Sequence, residues 1–414
     1  RDPHRPACPV RQRPRTMSEA YVSALASFTG KLSAETLIAE AEKLTGLSGW
    51  GGKRWDEERF RHDLAVLCNA IEAEAEVSAV GRSRSHSRLI TMLVSRLRYL
   101  AARDSAARAD QEVIAAPLIG TGMPRAGTTF LHGLMAQDPA GRAVPAWEAA
   151  IPGPLAEGGS RKELYARLLA FQGMTAPDVT EIHPFGSSLP EECIFLQEGD
   201  CGGLYGVYWN VPSYQAAVAG KAASAFRWQK GVMQYLQSGE PRRHWVLKGP
   251  GHMFAWQEML IAFPDARIYV NHRDPGKVIP SIASLFAKLR SLFSDRQIDA
   301  HLLGQQQLAA WKAAVDAYAA WRSGPGAEAT VADVHFTALT ADPIGTVAQT
   351  YDALDLPFTP AAREAMERHL EHDHHGSAPK RNYALADYGL DETAIEAAFG
   401  DYIDRFGITR EKRL

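Results

Sequence analysis

The segment VIAAPLIGTGMPRAGTTFLHGLMAQ (113–137) constrains this chain more than any other. A short apolar run ends in glycines, turns through a loop holding one arginine, and passes directly into helical spacing. Buried parallel strands read as continuous apolar runs of this kind. A glycine-rich turn into a helix aims backbone N–H groups and the positive end of the helix at an anion. The strand-then-helix order recurs in HWVLKGPG (244–251) before MFAWQEMLIAF and in ARIYVNHRD (266–274) before PGKVIPSIASLFAKL, and ATVADVHFTAL (329–339) reads as a fourth strand. The pattern predicts an α/β fold, a P-loop-like parallel sheet flanked by helices, with ligands bound beyond the carboxyl ends of its strands.

Upstream the periodicity is helical. SAETLIAEAEKLTG opens near Ser33 and stops at Gly46, and WDEERFRHDLAVLCNAIEAEAEV and HSRLITMLVSRLRYLAARD carry apolar residues at i, i+3, i+4. Residues 17–112 are therefore expected to form an N-terminal helical region packed on the core, and residues 113–414 the α/β domain. Residues 1–16, rich in Arg and Pro and without an apolar stretch, read as a disordered leader or an expression remnant rather than a secretory signal.

Composition narrows the function. With 45 Lys+Arg against 48 Asp+Glu the formal charge is −3, which argues against a general nucleic-acid binder but allows a basic pocket for one small anion. Cys8, Cys68, Cys193 and Cys201 are scattered without metal-site spacing, which suggests a reducing compartment and a cytoplasmic location. No run of eighteen apolar residues exists to span a membrane. The His-rich HLEHDHHGS (369–377) reads as a solvated helix end before it reads as a metal site.

The loop Gly122-Met-Pro-Arg-Ala-Gly127-Thr128-Thr129 almost fits GxxxxGK[ST], yet Thr128 stands where the lysine belongs and the basic residue is Arg125, inside the loop. A nucleoside triphosphate needs that lysine near its terminal phosphates; a ligand with less charge there does not. PRAGTT closely resembles the 5′-phosphosulfate loop (PKSGTT or PRSGTT) of sulfotransferases that use 3′-phosphoadenosine 5′-phosphosulfate, PAPS. Arg273 and Ser281, eight positions apart, match the strand-end Arg and following-helix Ser with which that family holds the nucleotide's 3′-phosphate. The resemblance runs from about residue 40 to the C-terminus. It is strongest to the bacterial-type branch, in WE (147–148), PEE (190–192), LKGPGH (247–252), HFTALTADP (335–343) and YALADYGLD (383–391).

The resemblance implies transfer of a sulfonate from PAPS to a hydroxyl, releasing 3′,5′-ADP (PAP). Pro124, Arg125, Ala126, Gly127, Thr128, Thr129, Arg273 and Ser281 would bind the nucleotide, and the basic stretch at Lys380 and Arg381 would close over its 3′-phosphate. No metal is demanded, since the sulfonate carries little charge. Sulfonyl transfer by in-line displacement needs a base for the acceptor proton and a cation at the leaving oxygen. Lys248 and His252 occupy the place of the family's KTH segment, with KGPGH two residues longer between them, so Lys248 is expected at the leaving group and His252 as base. Glu148 is a rival base and His183 a further one; Glu191 and Glu192 are expected to line the pocket or pair with Arg125, and His132 to be a core residue. The aromatic-rich segment about 180–240, with Tyr208, Trp209 and Tyr214, suits a lid and pocket for a small phenolic, apolar or lipid-like acceptor, although core packing explains such rings equally. A homodimer stays open. The competing readings are a P-loop-type small-molecule kinase and an inactive nucleotide-binding scaffold.

Overall fold

The computed structural model describes residues 28–155, 158–203, 205–240, 243–324, 331–372 and 383–412. The leader at 1–16 and the basic pair Lys380 and Arg381 lie outside them. Strands β1 (Leu118–Gly122), β2 (Gly141–Arg142), β3 (His244–Lys248), β4 (Arg267–His272) and β5 (Val331–His335) form one parallel sheet in the order β2-β3-β1-β4-β5. Central β1 is buried at every position, its one polar side chain, Thr121, donating to the Gly249 carbonyl at 3.0 Å.

Alternation divides the sheet's side chains between two cores. Leu118, Val246, Tyr269 and Ala332 point to one face, against the helices Thr128–Met135, Pro343–Ala353 and Pro360–His372. Ile119, Leu247, Ile268 and Val331 point to the other, where Val278, Trp311 and Phe399 cover them. Register brings Lys248 beside Gly120 and Asn271 beside Gly122, so β1, β3 and β4 deliver their chemistry to one end of the sheet. Gly120 is required: a Cβ there would lie 2.2 Å from the Tyr269 ring.

The N-terminal helices Ala34–Thr45, Glu57–Glu74 and Ala79–Ser105 start on the caps Ser33, Asp56 and Ser78, each side chain accepting from a first-turn N–H. The first stops at Gly46 in the left-handed conformation. These helices share a third core with Tyr205, Trp209, Tyr214, Leu285 and Phe293. The helical region is thereby packed on the segment after residue 200 and on the far end of the helix Pro275–Ser291. Cys68, Cys193 and Cys201 are free and buried, and burial pushes the Cys68 and Cys193 thiols up to about 12. No helix among the described residues is long and apolar enough to cross a membrane.

Two elements depart from the sequence reading. Within the fourth strand read at 329–339, Val331–His335 is strand and Phe336–Ala341 is helix, because no glycine or proline marks the boundary between them. Strand β2, two residues long, shows no alternation that periodicity could detect.

Candidate active site

The loop from Gly122 to Gly127 is held in a conformation few residues favour. Gly122 has φ +126, Arg125 φ +68 and Gly127 φ +84, with Ala126 between the last two in ordinary territory. Alternation of this kind turns successive N–H groups inward, toward the start of the helix Thr128–Met135. A left-handed arginine stores about 1–3 kcal/mol of strain, and β4 supplies the bonds that hold it. Asn271 Nδ2 donates to the Ala126 carbonyl at 3.2 Å, and Arg273 Nη1 donates to the Arg125 carbonyl at 2.8 Å.

The Arg125 side chain reaches toward the expected 3′-phosphate pair. Its Nε donates to Ser281 Oγ at 3.1 Å and its Nη1 to the Ile182 carbonyl at 2.8 Å. Burial draws its guanidinium below the usual arginine range; Tyr383 opposes this and the Arg273 charge adds to it. Arg125, Arg273 and Ser281 are thus brought together, as the motif spacing implied. Arg273 finds its carboxylate partner in Glu411. Its guanidinium stacks 3.8 Å from the centre of Phe336 and donates through Nε and Nη2 to both carboxylate oxygens of Glu411, at 2.6 and 3.0 Å. Asp274 instead caps the helix Pro275–Ser291 through Gly276 N and accepts from Glu411 N, both at 2.9 Å. Glu411 was missed because it lies 138 residues from its partner, outside any motif.

A second polar group gathers at the end of β3. Lys248, 1% exposed, donates to Glu192 Oε1 at 2.5 Å and to Thr129 Oγ1 at 3.3 Å. Burial pushes the Glu192 carboxyl up, but Lys248, His183 and His132 outweigh it and the net displacement is downward. Glu192 therefore pairs with Lys248 rather than with Arg125. Glu191, whose Oε1 accepts from Glu192 N at 2.9 Å, is pushed up to about 7, chiefly by burial. His252 is buried to 3%, its ring 5.4 Å from Phe226 and packed on Gly249, and its Nε2 has no hydrogen-bond partner. His183 is half-buried and its Nδ1 lies 3.0 Å from the Pro184 carbonyl. His132 lies on the helix Thr128–Met135 with Nε2 3.2 Å from the Val246 carbonyl, and burial pushes it down to about 3.

Other expected site residues are placed elsewhere. Glu148 accepts from Arg142 at 3.0 and 3.2 Å, and Arg142 stacks on Trp245, which stands three residues before Lys248 on β3. Trp209 donates to Ser85, Tyr214 to the Cys201 carbonyl, and Arg88 stacks on Tyr208, so all three rings are packed against buried neighbours. Tyr208 and Trp209 also line a cavity of about 210 Å³ with Arg290 and Asn210. The charges of Glu191 and Glu192 act on the Tyr208 hydroxyl. The helix Pro360–His372 ends within the His-rich run, whose remainder lies outside the described residues.

A family model described as the sulfotransferase family matches residues 117–360. The structure is similar to that of sulfotransferase STF9 from Mycobacterium avium, with TM-score 0.81 and 27% identity over 94% of this chain and 100% of that one. It is also similar to sulfotransferase STF1 from Mycobacterium tuberculosis H37Rv, with TM-score 0.75 and 28% identity over 89% of this chain and 98% of that one. No curated protein matches the chain.

Proposed function

The chain belongs to the sulfotransferase family, and from that premise we propose that it transfers a sulfonate from PAPS to the hydroxyl of a small apolar or phenolic acceptor in the cytoplasm, releasing 3′,5′-ADP. The observation that carries this reading is the convergence of Arg273 and Ser281 on Arg125, which sits in an anion-cradling loop. One nucleotide with a phosphate at each end of its ribose fits that arrangement. The grip of Arg273 on both oxygens of Glu411 indicates that its guanidinium is oriented for a bidentate oxyanion.

Bound PAPS supplies an electrophilic sulfur and a leaving oxygen on its 5′-phosphate. The chain's own residues supply the rest. Loop N–H groups and the start of the helix Thr128–Met135 hold the 5′ end, and Arg273 and Ser281 hold the 3′-phosphate. Lys248, already bonded to Thr129 of that helix, offers a cation where negative charge develops on the leaving oxygen. A triphosphate reading is less well supported, because this lysine enters from β3 rather than from the loop.

Calorimetry with 3′,5′-ADP and 5′-AMP tests the proposal. Binding should favour the 3′-phosphorylated nucleotide by about 2–5 kcal/mol, the range for a desolvated charge pair. Equal affinity for the two would overturn the donor assignment.

A further inference from the structure

Four side chains compete for the acceptor's proton, and the structure separates them. His252 is closed in by Phe226 and the backbone at Gly249, with Nε2 buried. His132 has Nε2 engaged by the Val246 carbonyl, and its Nδ1 is buried. Glu148 is tied to Arg142, which stacks on Trp245. His183 differs in access: it is half-buried, whereas His252, which also leaves Nε2 unbonded and is likewise pushed down to about 4 by burial, is only 3% exposed. The His183 Nδ1 faces the Pro184 carbonyl at 3.0 Å, and a carbonyl only accepts, so Nδ1 carries the proton and Nε2 keeps its lone pair. Among the described residues that Nε2 makes no hydrogen bond.

Its surroundings suit the task. Burial pushes the His183 ring down to about 4, with Glu192 pulling upward and Lys248 and Arg125 adding to the fall, so the ring is neutral and able to accept at pH 7. The residue before it is anchored to the phosphate loop by the bond from Arg125 to the Ile182 carbonyl, 2.8 Å long. The base position is thereby referred to the loop that holds the donor.

We infer that His183 is the general base of the transfer, receiving the acceptor's hydroxyl proton on Nε2. The inference rests on the sulfonate-transfer reading above. As the acceptor oxygen bonds to sulfur, its proton passes to Nε2, and the electron pair of the broken S–O bond remains on the bridging oxygen of the 5′-phosphate. Lys248 is the cation for that oxygen. Once Lys248 turns to it, Glu192 is left to stabilise the imidazolium formed at His183. Glu192 thus serves the lysine before transfer and the histidine during it.

The test uses the full chain with His183→Gln and His252→Gln. Nitrogen NMR of the free protein should show the His183 ring protonated on Nδ1 and titrating near pH 4. With PAPS as donor, His183→Gln should lower turnover on unsubstituted phenol by about 10²–10⁴-fold. 2,4-Dinitrophenol, already ionised at neutral pH, needs no base and should lose less than about tenfold by the same reasoning. Affinity for 3′,5′-ADP should stay within about threefold of wild type, since the substituted group lies off the nucleotide. Equal losses on both phenols, no loss on either, or this acceptor-dependent pattern in His252→Gln would overturn the assignment. A wild-type protein blind to the 3′-phosphate would overturn the donor reading, and the base assignment with it.

Discussion

At the scale of single residues, Arg273 performs two tasks with one guanidinium: Nη1 props the strained loop, while Nε and Nη2 hold a carboxylate. Any 3′-phosphate must displace that carboxylate. Arg273→Ala should therefore weaken 3′,5′-ADP binding by about 2–5 kcal/mol. Glu411→Gln should strengthen it by about 1–2 kcal/mol, since bonds to charged groups are worth about 1.5–3 kcal/mol. Titration calorimetry on the two variants should show opposite signs, and a weaker Glu411→Gln would mean that the carboxylate organises the site instead of occupying it. Glu191 makes a separate prediction. Burial lifts its folded-state value to about 7, so its contribution to stability is full below the ordinary carboxylate value and is lost as pH rises from there to about 7. Glu191→Gln should flatten that part of the stability curve by at most about 3 kcal/mol in denaturant titrations across the window.

At the scale of elements, strand β4 and the helix after it act as one unit. Asn271 points to the loop carbonyl of Ala126, and His272 to the opposite side, between Tyr402 and Asp333 at 2.6 and 2.9 Å. Arg273 returns to the loop and Asp274 caps the helix that carries Ser281. Period-two alternation assigns each residue its side, so a one-residue slip in register would exchange them. The fit of β1 against this strand depends on Gly120. Gly120→Ala should cost about 1–3 kcal/mol by overpacking against Tyr269. Tyr269→Val should restore part of that loss in a double-mutant cycle, and strict additivity would show that the ring is not the obstacle.

For the molecule as a whole, the sheet and the approach of Arg125, Arg273 and Ser281 were readable in advance, because both are written locally: apolar runs, a glycine turn, and an Arg and a Ser at fixed spacing. The caps Ser33 and Gly46 were readable for the same reason. The Lys248–Glu192 pair and the Arg273–Glu411 pair join residues 56 and 138 positions apart, and a neutral histidine is made by its fold environment, so neither was legible in the sequence. The aromatic residues expected around an acceptor pack in the core shared with the N-terminal helices, while Tyr208 and Trp209 also line a cavity, so ring content alone does not separate pocket from packing. Trp209, 1% exposed, should cost about 3–5 kcal/mol on truncation to alanine. If chemical denaturation of Trp209→Ala remains a single transition, the helical region and the sheet unfold together; a split transition would separate them.

The buried sulfurs turn this last question into a labelling experiment. With Cys68, Cys193 and Cys201 all shielded, and the first two raised to about 12, an alkylating reagent finds no reactive thiolate at these positions until the fold opens. Cys68 and Cys201 lie in the helical core, whereas Cys193 belongs to the core beside the sheet. Mass spectrometry of the modified peptides would time the opening of each compartment, and adding 3′,5′-ADP should slow the clock at Cys193.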